Sequence, residues 1–180
     1  MRGIGAAGAL ALALMCQPVQ AAVKDATAGG FTVENTEAVP VDADTSWKAL
    51  VQDVDRWWPK DHSWWGAESK LSIDARAGGC FCETAGARQA QHMAVVFVDP
   101  GKTLRMTGGL GPLQGMGVSG ALEFRLAPAD GGGTSITLFY RAGGYTPDDL
   151  SKFAPVVDKV QAQQLHGLAE FLRKPAKAAK

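Results

Sequence analysis

Two histidines and a tyrosine are the candidate catalytic residues of this sequence. His62 directly follows Asp61, and a carboxylate beside an imidazole can orient the ring and keep it basic, as a general base requires. His92 begins a predicted strand and is a second candidate base, while Tyr140 in a later strand is a candidate acid. The alternative for both histidines is an ordinary surface or packed side chain.

Motifs for nucleophilic, phosphate or cofactor chemistry are missing from the sequence. It has no Gly-x-Ser-x-Gly motif, and no two carboxylates have a spacing that is typical of a catalytic pair. The Gly-rich stretch 108–117 lacks the Gly-Lys-Ser/Thr ending of a phosphate-binding loop. We therefore expect no cofactor, and we expect binding rather than catalysis.

Cys80 and Cys82 lie two residues apart in a predicted strand, so both side chains point to the same face. Two strand residues span about 6.6 Å, which is at the long edge of what a disulfide tolerates. Three interpretations remain open: two half-buried free thiols, a disulfide, or a metal site that recruits His92 or His62. The Cys-x-Cys spacing is a weak zinc signal, and we expect no metal.

Tryptophan is concentrated in one short stretch, with four of the five Trp residues between positions 57 and 65. A Trp buries a large apolar area and has an N–H that needs a partner. Some of the four must pack the first helix onto the sheet, but we expect one or two to line the mouth of a pocket. The stretch 108–117 would be a mobile lid over it. The candidate ligand-binding residues are Trp58, Trp64, Trp65, Leu110, Leu113, Met116 and Tyr140.

The elements that would position these residues follow from the hydrophobic pattern. Phe31–Val41 predicts a first strand, and Asp42 or Asp44 can cap the helix that follows. Six further strands are separated by short Gly- and Pro-rich turns, and strands this close in sequence must pair antiparallel. The apolar stripe of the first helix is Trp47, Leu50, Val51, Val54, Trp57 and Trp58, and the six strands are predicted at 71–73, 80–84, 92–98, 103–107, 118–126 and 134–141.

A long amphipathic helix ends the predicted fold. Thr146 can cap it, Pro147 fits its first turn, and Pro175 stops it. Its inner stripe is interrupted by Gln164, and we assign no role to His166. The sequence therefore predicts an α+β fold in which a curved antiparallel sheet of about six to seven strands wraps on a long C-terminal helix.

Several short motifs accompany this order of elements: Pro40–Asp42 before Trp47, the Trp57–Trp58 helix end, Gly78–Phe81, Val98–Gly101 with Leu104, and Gly133–Leu138. The order and these motifs together resemble the START-like (SRPBCC) helix-grip superfamily. Within it, the sequence is most similar to the bacterial homologues of the heat-shock-protein-ATPase activator, which are often grouped with polyketide cyclases. The resemblance implies a deep cavity between the sheet and the last helix, and roles in ligand carriage, cyclisation or chaperone regulation.

The N-terminus has the pattern of an export signal. Arg2 precedes an apolar run too short to span a membrane, and Val19 and Ala21 fit the small-x-small site of signal peptidase. A lipoprotein signal with Cys16 as the lipidated residue is a weaker alternative. We therefore predict a signal peptide at 1–21, a flexible lead-in at 22–30, one domain at 31–174 and a mobile tail at 175–180. The expected location is periplasmic, without stable membrane insertion.

Charge excludes one class of partner. The chain has 180 residues with 18 basic and 18 acidic side chains, so nothing draws it electrostatically to nucleic acid. The leading hypothesis is an exported protein that binds a small hydrophobic or aromatic molecule in an internal cavity. The first alternative is a cyclase- or hydrolase-like enzyme that uses His62 or His92, and the second is a chaperone-like interaction protein that uses exposed Trp residues. The sequence leaves the oligomeric state open.

Overall fold

The computed structural model describes residues 22–174, so the predicted signal peptide at 1–21 and the predicted tail at 175–180 lie outside the described residues. The described part contains eight strands: β1 (Ala22–Thr27), β2 (Gly30–Val39), β3 (Lys70–Ile73), β4 (Cys80–Ala85), β5 (Arg88–Asp99), β6 (Thr103–Gly108), β7 (Ser119–Pro128) and β8 (Thr134–Gly143). The same residues form four α-helices: α1 (Ala43–Gln52), α2 (Val54–Trp57), α3 (Pro112–Gly115) and α4 (Ala154–Arg173). Short 3-10 turns lie at Lys60–His62, Gly66–Glu68 and Leu150–Lys152.

The first helix forms where its apolar stripe and cap predict it. The Asp42 carboxylate accepts a hydrogen bond from the Thr45 N–H at 2.7 Å, so Asp42 is the cap of α1. The stripe breaks at Asp53, and the second part is the one-turn helix α2. Trp57 donates its indole N–H to the carbonyl of Ala49 at 3.0 Å, which ties the two parts together across the break.

One antiparallel sheet holds all eight strands of the described chain in the order β1-β2-β8-β7-β6-β5-β4-β3. The hairpins from β3 to β8 follow the sequence, but β2 pairs with β8, the last strand. Gly101 lies in the tight β5–β6 turn with a φ of +76°, a backbone angle that favours glycine. Alternate residues of β8 face the core, and Ile136, Leu138 and Tyr140 are fully buried, as their spacing predicts.

The segment 22–30 differs from the flexible lead-in expected from its composition. Residues 22–27 form β1, which pairs with β2 from Ala22 opposite Glu34 to Thr27 opposite Gly30. The side chains of residues 23–27 are all exposed, so burial periodicity carries no signal for this strand. The pairing is a backbone effect, because β1 satisfies the N–H and C=O groups on the open edge of β2. The ordered fold therefore begins before residue 31 and has eight strands instead of six or seven.

The C-terminal helix lies across the sheet and packs mainly against β2, with further contacts to α1 and α2. It begins at Ala154, later than Thr146, because Asp149 caps a 3-10 turn first. Gly167 is required for its close approach, since a Cβ there would lie 2.5 Å from the carbonyl oxygen of Trp57. The curved, open sheet gripping a long terminal helix is a helix-grip fold, as the sequence predicts.

Charged side chains fasten the end of this helix to β2. The buried carboxylate of Glu37 accepts a hydrogen bond from Nη2 of Arg173 at 2.7 Å and lies 2.8 Å from Nδ1 of His166. Arg173 also donates to the carbonyl of Ala38 at 2.9 Å. His166, to which the sequence assigned no role, therefore helps to anchor the helix. In the part of the chain that the structure describes, no helix is long and apolar enough to cross a membrane.

Candidate functional site

A cavity of about 420 Å³ lies beside α4, between the helix, the sheet and two loops. Its walls are mostly apolar or aromatic, and the exposed side chains of Trp64 and Val156 mark its mouth. The residues that line it are Trp58, Asp61, His62, Ser63, Trp64, His92, Leu110, Gly111, Pro112, Leu113, Met116, Tyr140, Phe153, Val156, Val157, Val160, Gln161 and Gln164.

Deeper between sheet and helix, large side chains fill the interior. Trp58 packs edge-on to Phe81 with the ring centroids 4.9 Å apart, and Trp57 packs against Phe124 at 6.4 Å. Only about 10 Å³ of space remains there. The room for a ligand is therefore at one end of the sheet–helix interface.

Six of the seven side chains predicted to bind a ligand line this cavity. They are Trp58, Trp64, Leu110, Leu113, Met116 and Tyr140. The seventh, Trp65, does not line it and instead packs under the guanidinium of Arg88, 5.4 Å from the ring centroid.

The Trp-rich stretch does not form an exposed aromatic patch. Trp57 and Trp58 are buried in the core, and Trp65 is half-buried. Trp64 is exposed over 47% of its surface. One exposed Trp is a small surface for an interaction protein, whereas it suits the rim of a pocket.

The Gly-rich segment 108–117 is anchored on the sheet. It contains the short helix α3, and Leu113 is buried against the core. The hydroxyl of Tyr140 donates to the carbonyl of Gly108 at 3.2 Å and accepts from the N–H of Leu110 at 3.4 Å. The segment thus forms a cavity wall that is hydrogen-bonded to the sheet, and its mobility as a lid stays a prediction of the sequence.

This position does not favour Tyr140 as an acid. Burial raises its pKa to about 12, against a smaller opposing effect of the hydrogen bond from Leu110. A phenol of this pKa whose proton is already donated to a backbone carbonyl is poorly suited to protonate a ligand at neutral pH.

Glu83, which the sequence analysis did not single out, is a fully buried carboxylate behind the cavity wall. Its Oε1 accepts hydrogen bonds from Ser69 Oγ at 2.5 Å and from the N–H groups of Trp64 at 2.9 Å and Trp65 at 3.3 Å. Its Oε2 lies 2.8 Å from Nε2 of His92. Burial alone would raise the pKa of Glu83, but the hydrogen bonds from Ser69 and His92 outweigh it and lower that pKa. Glu83 is therefore an ionised hub that holds both the Trp64 loop and His92.

His92 faces the cavity because of a β-bulge. Phe81 pairs with Met93 and Cys82 pairs with Gln91, so His92 is an extra residue in β5. Strict alternation would send the neighbours His92 and Met93 to opposite faces, yet both are buried. The Nε2 of His92 is held by Glu83 at 2.8 Å.

His62 also lines the cavity, but not as the Asp61–His62 pattern predicted. Among the described residues, no hydrogen bond joins the two side chains, and Nδ1 of His62 is buried without a partner. The carbonyl of His62 accepts the indole N–H of Trp58 at 3.1 Å, which fixes the loop. The structure thus gives a carboxylate partner to His92 and none to His62.

Cys80 and Cys82 are joined in a disulfide, with their Cα atoms 5.5 Å apart. This distance is shorter than the about 6.6 Å of two regular strand residues and lies within the range that a disulfide tolerates. Phe81, which lies between the two cysteines, and Glu83, which follows Cys82, both face the core. The disulfide therefore lies on the other face of the sheet, away from the cavity. The free-thiol and metal-site interpretations do not describe these residues. Among residues 22–174, no three His, Cys, Asp or Glu side chains cluster as a metal site.

No family model matches this sequence, and no curated protein matches it. Solved structures do match. CalU16 from Micromonospora echinospora has 17% identity and a TM-score of 0.57, covering 83% of this chain and 78% of its own. CV1439 from Chromobacterium violaceum has 17% identity and a TM-score of 0.56, covering 80% and 98%.

A third similar structure is DynU16, described as a protein in the dynemicin biosynthetic locus, with 18% identity and a TM-score of 0.56. The match covers 78% of this chain and 46% of DynU16. These likenesses show that the described chain shares its helix-grip fold with these structures.

Proposed function

We propose that this protein binds a small, largely apolar or aromatic molecule in the cavity beside α4. The observation that carries the proposal is the cavity itself, about 420 Å³ with mostly apolar walls and an aromatic mouth. Binding there would gain about 25 cal/mol for each Å² of apolar surface removed from water, before the entropic costs of association. The hydrogen bonds of Tyr140 to the Gly-rich segment and of Glu83 to Trp64 and His92 support the proposal because they hold residues of the cavity wall in position.

A neutral dye tests the proposal. N-phenyl-1-naphthylamine brightens in apolar sites, so we expect saturable fluorescence enhancement with the wild-type protein. Val160→Phe fills the cavity and should weaken binding at least tenfold, whereas Val96→Phe on an exposed strand position away from the cavity should not. Equal binding by both variants would place the dye elsewhere and refute the proposal.

We also propose that the protein is exported, with signal cleavage after Ala21, and that the periplasm is its location. Disulfides persist in oxidising compartments, so the Cys80–Cys82 bond supports this proposal. Lipidation at Cys16 is the alternative. Mass spectrometry of protein from the periplasmic fraction separates them, since cleavage after Ala21 leaves Ala22 as the first residue and lipidation adds acyl mass to Cys16.

We also propose, on the sequence motifs alone, that this chain is related to the bacterial homologues of the heat-shock-protein-ATPase activator. An exported protein would not meet a cytosolic chaperone ATPase, so we infer ligand binding as the retained property. A pull-down with a cytosolic chaperone ATPase should therefore recover no complex, and recovery of a stoichiometric complex would contradict this inference.

A second candidate function is catalysis with His92 as general base, and the Glu83–His92 pair is the observation that favours it. A buried ionised carboxylate fixes the imidazole of His92, and that histidine lines the cavity. Hydrolysis of neutral p-nitrophenyl esters by the wild type, His92→Gln and His62→Gln tests the hydrolase form. Loss of turnover in His92→Gln alone would support it, and equal rates in all three proteins would exclude it.

A further inference from the structure

Two glutamine side chains of α4 face the apolar cavity with polar atoms that have no partner. Gln161 is fully buried, and neither its Nε2 nor its Oε1 makes a hydrogen bond. Gln164, one turn further along, is also buried and leaves its Oε1 unpaired. Both side chains line the cavity.

Unpaired buried amides are unusual because each lost hydrogen bond carries a desolvation penalty. Buried side-chain polar atoms are hydrogen-bonded in the large majority of cases, and an exception needs an explanation, such as a partner group that binds beside it. Exchanging O and N of Gln161 does not remove the problem, because both atoms lack partners and the side chain still offers one donor group and one acceptor. The helix wall of the cavity is thus built to receive a group that both donates and accepts.

The charge of the lining restricts that group further. Among the described residues, no Lys or Arg lines the cavity, and Asp61 is the carboxylate at its edge. An anionic ligand would lose its hydration with no cation to replace it, and two of the unpaired Gln atoms are acceptors that repel it. An uncharged group with an O–H or N–H satisfies these acceptors.

We propose that the ligand is an uncharged molecule with an apolar, ring-sized body and a hydroxyl or amide group that is hydrogen-bonded by Gln161 and Gln164. This inference rests on the proposed binding function and names the ligand class of the same site. The hydroxyl donates to an unpaired glutamine oxygen and accepts from Nε2 of Gln161. The unpaired Nδ1 of His62, also in the lining, is a further polar contact available to a second substituent.

Three probes with one aromatic body test the proposal by equilibrium dialysis at neutral pH: naphthalene, 2-naphthol and 2-naphthoate. We expect the wild type to bind 2-naphthol about tenfold more tightly than naphthalene, the gain of about one well-made buried hydrogen bond. We expect 2-naphthoate to bind more weakly than naphthalene. The double variant Gln161→Leu/Gln164→Leu should lose the preference for 2-naphthol while keeping its affinity for naphthalene.

Gln163→Leu is the matched control, because Gln163 lies on the exposed face of the same helix and should leave the preference unchanged. Thermal unfolding checks that the double variant folds, and its midpoint should equal or exceed the wild-type value because unpaired buried atoms are removed. Equal wild-type affinity for naphthalene and 2-naphthol, or tightest binding of 2-naphthoate, would overturn the inference while ligand binding stands. If no probe binds to the wild type, the proposed function and this inference both fall.

Discussion

Replacing Glu83 by Gln is the sharpest single test of how the site is held together. Gln keeps the size of Glu83 and can still accept hydrogen bonds at one oxygen, but it removes the charge. It also places an NH₂ group against Nε2 of His92, so the histidine must accept there and move its proton to Nδ1. The variant should therefore weaken the hub and change the histidine tautomer that faces the cavity.

The magnitude follows from the bonds at Glu83. Three are well formed, from Ser69 at 2.5 Å, from the Trp64 N–H at 2.9 Å and with His92 at 2.8 Å. A bond to a charged group contributes about 1 kcal/mol more than a neutral one, which amounts to about 3 kcal/mol for the three. Relief from burying a charge reduces this loss to about 2 kcal/mol, or about 4–8 °C in the unfolding midpoint of a domain this size.

Thermal unfolding followed by circular dichroism at pH 7 measures this loss, with Glu68→Gln as the control. Glu68 pairs with Arg88 at the surface, with side-chain exposures of 73% and 49%, so its loss should change stability by less than about 0.5 kcal/mol. Nitrogen-15 spectra of the His92 ring should report the change of tautomer. If Glu83→Gln costs no more than Glu68→Gln, the carboxylate is not the hub that its contacts indicate.

The pH dependence of stability gives an independent check with a defined sign. The folded-state pKa of Glu83 is lowered, while an unfolded Glu titrates near about 4.3. Its contribution is therefore complete above about pH 4.3 and is lost as the pH falls through the folded-state pKa. The stability difference between wild type and Glu83→Gln should persist from pH 7 to pH 5 and shrink below about pH 4.

Three further predictions concern the burial of Tyr140, the ion pair between Glu37 and Arg173, and the Cys80–Cys82 disulfide. In Tyr145→Phe, which leaves Tyr140 as the one tyrosine of the chain, ultraviolet titration should show phenolate forming only near pH 12, and ionisation near pH 10 would contradict its burial. Glu37→Gln weakens the bond to Arg173 and should lower the free energy of unfolding in urea by about 1–2 kcal/mol, whereas an unchanged value would mean that α4 is held by packing alone. Cys82→Ser opens a very short disulfide loop, so calorimetry should find a loss of only about 1–2 kcal/mol, and an unfolded variant would refute this estimate.

The elements of the fold could be predicted from the sequence because their signals are local. The stripe through Leu50 and Val54 predicted the first helix, and the alternation Ile136, Leu138, Tyr140 predicted β8. The strand at residues 22–27 was missed because residues 23–27 are exposed and carry no alternation, and its pairing depends on the free edge of β2. This strand forms because the edge of the sheet offers backbone groups for it to pair with.

The lining of the cavity was partly predictable for the same reason. Large apolar residues in a Trp-rich stretch and in a Gly-rich segment pointed to Trp58, Trp64 and Leu113, and these do line it. Trp65 was misplaced because neighbouring residues in an irregular loop have no fixed side-chain direction. The interruption of the helix stripe at Gln164 was visible in the sequence, but whether a polar atom finds a partner depends on side chains far away in the chain.

The sequence by itself determined the class of fold, the long terminal helix and the apolar character of many residues that line the cavity, since periodicity and composition act over a few turns of chain. Only the tertiary structure decided that Glu83 supports His92 and that Gln161 stays unpaired. Each of these outcomes depends on the register of the sheet, on a one-residue bulge or on the position at which α4 packs against the sheet. Such features are set by the packing of residues far apart in the chain, and no local pattern records them.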